Sequence, residues 1–74
     1  MKILIIEDEY PAAERLQRLL EELPEATEVV GVLDSVEASV KWLREQTAPD
    51  LILSDIQLSD GLSFEIFEKI LTST

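Results

Sequence analysis

The chain has 74 residues, sixteen acids against six bases for a formal net charge of −10, a pI near 4.1, and neither cysteine nor histidine. Without those two residue types a disulfide and a zinc site of the usual kind are excluded, and the metal ligands on offer are carboxylate and carbonyl oxygens, which suit Mg²⁺ or Ca²⁺. The acidic balance leaves no basic stripe for a phosphate backbone, so this segment is expected to make no direct contact with nucleic acid.

The first element is an aliphatic run, Ile3-Leu4-Ile5-Ile6, which does not alternate with polar residues. That is the pattern of a parallel strand buried on both faces, and it is too short for a signal sequence or a membrane span. A soluble, cytoplasmic segment with no membrane contact is expected. Pro11 sits where a first helical turn tolerates its missing donor, and Ala12, Leu16, Leu19, Leu20 and Leu23 recur at helical spacing. The first helix is therefore predicted to run to Leu23, stopped by Pro24. Residues 27–33 are rich in valine and predict a second strand. Asp34 and Ser35 offer oxygens as caps for a second helix, Glu37 stands three after Asp34 as a capping-box partner, and Val36, Val40 and Leu43 form its apolar stripe. Ala48-Pro49-Asp50 breaks that helix, and Leu51-Ile52-Leu53 predicts a third strand. A loop follows through Asp60 and Gly61; from Ser63, the residues Ile66, Phe67, Ile70 and Leu71 resume the helical period, and residues 72–74 carry no helix-stop signal.

The order β-α-β-α-β-α predicts an α/β fold, a partial doubly wound parallel sheet with helices on both faces, occupying residues 1–74 as one unit. Three strands are few for such a sheet, so one aliphatic edge should lack a partner. Two groups of acids stand where the two most hydrophobic strands stop: Glu7, Asp8 and Glu9 after the first, and Asp55 after the third. In open α/β sheets ligands bind outside the carboxyl ends of strands where strand order reverses. If the order begins 2-1-3, Asp8 and Asp55 meet in that crevice, and crowded carboxylates call for a cation such as Mg²⁺. Taken singly, each group has a plain explanation. Acids near a helix N-terminus are favoured by the helix dipole, and an isolated aspartate after a strand is a common turn residue. Their joint placement points to a shared acidic site. Gly61 serves equally as a turn glycine or as an aid to a close turn after Asp55, Pro11 reads as helix punctuation, and Trp42 as cover for the second helix.

The segments Lys2-Ile3-Leu4-Ile5-Ile6-Glu7-Asp8-Glu9 and Pro49-Asp50-Leu51-Ile52-Leu53-Ser54-Asp55-Ile56-Gln57-Leu58-Ser59-Asp60-Gly61 together resemble the receiver domain of two-component response regulators. The resemblance covers the whole chain without gaps. It implies a CheY-like fold, a phosphoryl group accepted from a sensor histidine kinase onto Asp55, and an Mg²⁺ ion held by Glu7, Asp8 and Asp55 with the backbone carbonyl of Gln57. It also implies a phosphoacceptor rather than an enzyme. The stretches Asp8-Glu9-Tyr10-Pro11-Ala12-Ala13-Glu14-Arg15-Leu16 and Asp60-Gly61-Leu62-Ser63-Phe64-Glu65-Ile66-Phe67 resemble the branch of receivers that precedes a LytTR-type DNA-binding domain, which implies transcription regulation by an output domain absent from this sequence.

The family pattern has five strands and five helices, and this chain departs from it by stopping after the third helix. The fourth-strand Ser/Thr and fifth-strand Lys that contact the phosphoryl group are not in it, and Lys2, Lys41 and Lys69 lie outside those motifs. A different class of reading follows: a fragment incompetent in phosphotransfer that self-associates through the open edge of the third strand and the neighbouring helices, a homo-oligomer. A Toprim-like or haloacid-dehalogenase-like Mg²⁺ phosphotransferase needs a second aspartate two residues after the first, where this chain has Gln57. With only Gly31 and Gly61, no glycine-rich dinucleotide loop can be written.

Overall fold

The computed structural model describes residues 1–72, so how the last helix ends falls outside the described residues. The elements are β1 (Lys2–Ile6), α1 (Tyr10–Glu21), β2 (Glu28–Leu33), α2 (Val36–Glu45), β3 (Leu51–Ser54), β4 (Gln57–Leu58), β5 (Gly61–Leu62) and α3 (Phe64–Thr72). β1 pairs in parallel with β2 on one side and β3 on the other, the order β2-β1-β3 expected of a partial CheY-like sheet. Its four aliphatics are essentially inaccessible to solvent, at 0–1% exposure, which explains why that run does not alternate. Leu4 and Ile6 face Val36, Val40, Leu58 and Ile66, whereas Ile3 and Ile5 face Ala13 and Leu20. Thus α1 covers one face of the sheet and α2 with α3 the other.

Several boundaries differ from the sequence expectation. α1 ends at Glu21, two residues before Leu23, where the Glu22 and Leu23 amides fold back on the Leu19 and Leu20 carbonyls. Leu19 and Leu23 consequently stay about half exposed, and the stripe that packs is Ala13, Leu16 and Leu20. Pro11 lies in the first turn of α1 as expected. α2 is capped by Ser35 alone of the two candidates: its Oγ accepts from the Ala38 amide at 3.1 Å. Glu37 then stands at the second helical position, out of register for a capping box, and its amide instead reaches Asp60 at 3.1 Å. The supposed loop before α3 contains an antiparallel hairpin, with Gln57 opposite Leu62 and Leu58 opposite Gly61. In α3, Ile66 is inaccessible and Ile70 partly buried, but Phe67 and Leu71 point outward. Trp42 is half-buried against the Leu4 side of the core. A side chain at Gly31 would meet its indole Nε1 at 3.2 Å.

Candidate functional site

The site follows from strand register. Ile6 lies opposite Ser54, so Glu7 and Asp55 leave β1 and β3 side by side, and the Asp55 amide donates to the Ile6 carbonyl at 2.9 Å. On the other flank the Glu7 amide donates to the Leu33 carbonyl at 2.8 Å. These bonds carry the sheet pairing one residue beyond the strands and hold the acids at the carboxyl end of the sheet, where the strand order reverses.

Among the described residues Glu7, Asp8 and Asp55 each offer a carboxylate oxygen within 4.8 Å of the other two. Glu7 is half-buried, whereas Asp8 and Asp55 are exposed. Burial pushes the Glu7 carboxyl above its ordinary range. The Glu9 amide, which donates to Glu7 Oε1 at 3.2 Å, pulls the other way, and repulsion from Asp55, Asp8 and Glu9 raises it further. One Asp55 oxygen, Oδ1, accepts from the Ile56 amide at 2.8 Å. Oxygens on opposite corners of an Mg²⁺ coordination sphere lie about 4 Å apart, so this donor set, all hard oxygen and already close, fits such an ion. Gln57 follows Asp55 by two residues and opens β4, where it pairs with Leu62. Beside the acids, Tyr10, Ala13, Val32, Leu33 and Asp34 line a shallow groove that continues from Glu7 and Asp8.

Sequence reasoning assigned no role to Asp60. Its Oδ1 accepts from the Val36 amide at 2.7 Å and its Oδ2 from the Glu37 amide at 3.1 Å, and those two bonds pull its carboxyl below the usual range. Nothing in the pair Asp60-Gly61 distinguishes this from an ordinary turn aspartate, because its partners lie 24 and 23 residues earlier.

A parallel sheet with carboxylates gathered at its switch point defines an α/β fold with an acidic site. The chain belongs to the response regulator receiver domain family, whose model matches residues 3–74. Receivers of this family take phosphoryl groups from sensor histidine kinases. The chain is 42% identical over 66 residues to the sensory transduction protein LytT of Bacillus cereus, covering 89% of this chain and 26% of that protein. It is 37% identical over 70 residues to LytT of Enterococcus faecalis, covering 95% and 28%. To the phyllosphere-induced regulator PhyR of Methylorubrum extorquens it is 47% identical over 62 residues, covering 84% and 22%. The chain therefore spans about a quarter of the length of these relatives. No solved structure matches it. No helix among the described residues is long and apolar enough to cross a membrane.

Proposed function

We propose that Asp55 is the phosphoacceptor of this receiver and that Glu7, Asp8 and Asp55, with the backbone carbonyl of Gln57, hold Mg²⁺. The observation that carries the reading is the convergence of the three carboxylates at the reversal of strand order. Asp55 exposes its carboxylate to an incoming donor and keeps its backbone fixed through the Ile6 carbonyl. A carboxylate oxygen of Asp55 attacks phosphorus as the phosphorus–nitrogen bond of a kinase phosphohistidine breaks; the leaving imidazole keeps that electron pair and takes up a proton. Bound among these acids, Mg²⁺ supplies charge neutralisation between carboxylate and phosphoryl oxygens. Glu7 and Asp8 keep the crevice anionic enough to attract the cation, and Asp55 is the group consumed, so the chain is a phosphoacceptor and not a turnover catalyst. In the whole protein the phosphorylated receiver controls a LytTR-type DNA-binding output in the cytoplasm. Intact mass after incubation with a small phosphodonor and Mg²⁺ tests the assignment. One phosphoryl adduct on the parent and none on Asp55→Asn is the expected result; no adduct on either protein overturns phosphoacceptance by this chain.

A second reading has its own observation. Among the described residues the outer edge of β3 has no partner strand, and Phe64, Phe67 and Leu71, one face of α3 at spacings of three and four, are 65%, 40% and 76% exposed. A second copy of the chain covers this surface, making it a self-associating module.

A further inference from the structure

The hairpin that follows Asp55 is fastened at its tip to the start of α2. Asp60 accepts from the Val36 and Glu37 amides, and Ser59 Oγ donates to the Asp34 carbonyl at 3.4 Å. At its base the Ser63 amide donates to the Ile56 carbonyl at 2.8 Å, and the Leu62 amide donates to Glu65 Oε2 at 2.8 Å. Gly61, at φ +148°, lets the backbone pass the Glu65 carboxylate where a side chain would collide. The fastening closes a ring. Leu33 holds Glu7, the turn after Leu33 begins α2, α2 holds Asp60, the hairpin returns to Asp55, and Asp55 holds Ile6 next to Glu7.

From this ring we infer that Asp60 is a positioning residue: by bridging the hairpin tip to the α2 N-terminus, it holds the backbone of residues 56–58, and so the Gln57 carbonyl, in place beside the Glu7–Asp8–Asp55 cluster. The effect on cation affinity rests on the site proposed above, whereas the clamp itself does not. Asp60 suits the task because both its oxygens are satisfied by amides that α2 leaves open at its first turn. Ser35 provides an internal control. Its Oγ caps the same helix by accepting from the Ala38 amide, a bond within α2 that does not involve the hairpin.

The test compares Asp60→Ala with Ser35→Ala on the whole chain, reading amide hydrogen exchange at residues 57–63 without metal and, separately, Mg²⁺ affinity by titration of amide NMR signals. Asp60→Ala is expected to speed exchange across the hairpin about tenfold and to weaken Mg²⁺ binding about tenfold, with Ser35→Ala within about twofold of the parent on both. Equal effects of the two substitutions, or unchanged exchange in Asp60→Ala, overturn the clamp. A parent that binds no Mg²⁺ sinks the cation-site reading instead, and the exchange comparison alone then decides the clamp. Should Asp60→Ala fail to fold, Asp60→Asn keeps one good acceptor for two amides. Intermediate acceleration of exchange in it supports the clamp and parent-like exchange overturns it.

Discussion

Glu7 and Asp60 are both carboxylates at strand or hairpin ends, yet folding moves their proton affinities in opposite directions. Glu7 is raised from 4.5, first by burial and then by its acidic neighbours, so its charged form is penalised in the folded chain. That penalty is present in full at neutrality and is relieved as pH falls through the folded-state value toward 4.5. Asp60 is lowered from 3.8 by the Val36 and Glu37 amides, so its contribution is present above 3.8 and is lost as pH falls through the folded-state value. The expected urea midpoint therefore rises as pH drops from neutrality toward 4.5 and declines below 3.8. Repulsion among sixteen acids adds to the first limb, which makes the variants decisive. Glu7→Gln should raise the midpoint at neutrality and flatten the upper limb, and Asp60→Asn should flatten the lower one. An upper limb in Glu7→Gln that runs parallel to the parent refutes the assignment to Glu7. The carboxylate cluster is thereby held at some cost in stability.

Among elements, the β4–β5 hairpin contributes more than its two-residue strands suggest, because Leu58 is 4% exposed and packs with Leu4, Ile6, Val36, Val40 and Ile66. Leu58→Ala should destabilise the chain by about 2–5 kcal/mol, a large share of the total for a domain of this size. A loss below about 1 kcal/mol in denaturant titration would mean that the hairpin lies outside the cooperative core. This element was also the least legible in the sequence. Gln57-Leu58-Ser59-Asp60-Gly61-Leu62 has one apolar residue per strand, too few for a period, and its glycine falls in a strand rather than in the two-residue turn. By contrast, residues 3–6 announce a central strand because both of their faces are buried, and the acids after them fall together because parallel register carries Glu7 and Asp55 out of the sheet side by side. Strand ends can be read from where hydrophobicity stops. The α1 boundary cannot, because it depends on which leucines the sheet can reach; at α2 the Ser35 cap is legible as one of two candidate oxygens, but the Asp60 carboxylate that joins it there arrives from 24 residues away.

For the whole molecule, charge and exposed apolar surface act against each other. The chain exposes 5183 Å², against roughly 4,600 Å² expected for a folded protein of 8.4 kDa. Part of that surface is apolar: Leu51, in the β3 strand whose outer edge has no partner among the described residues, is 40% exposed, Phe67 of the α3 stripe equally so, and Phe64 and Leu71 more open still. Burial of such side chains is worth about 1.5–3 kcal/mol each, and strand pairing at the free edge adds hydrogen bonds. Opposing this, two copies bring together formal charges of −10 each. Because surface charges are screened over about 10 Å at 0.1 M salt and about 3 Å at 1 M, added salt weakens the repulsion and leaves the apolar term intact. Self-association through β3 and α3 should therefore strengthen with both protein concentration and salt, the reverse of an assembly held by ion pairs. Light scattering on the parent is expected to show mass rising above the monomer along both axes, and Phe67→Glu, which places a charge in the exposed stripe, should shift that rise to higher concentration. A monomer mass independent of concentration at high salt overturns the self-association reading. It leaves the carboxylate site untouched, because Glu7, Asp8 and Asp55 belong to the opposite question, what the end of the sheet binds, and not to what covers its edge.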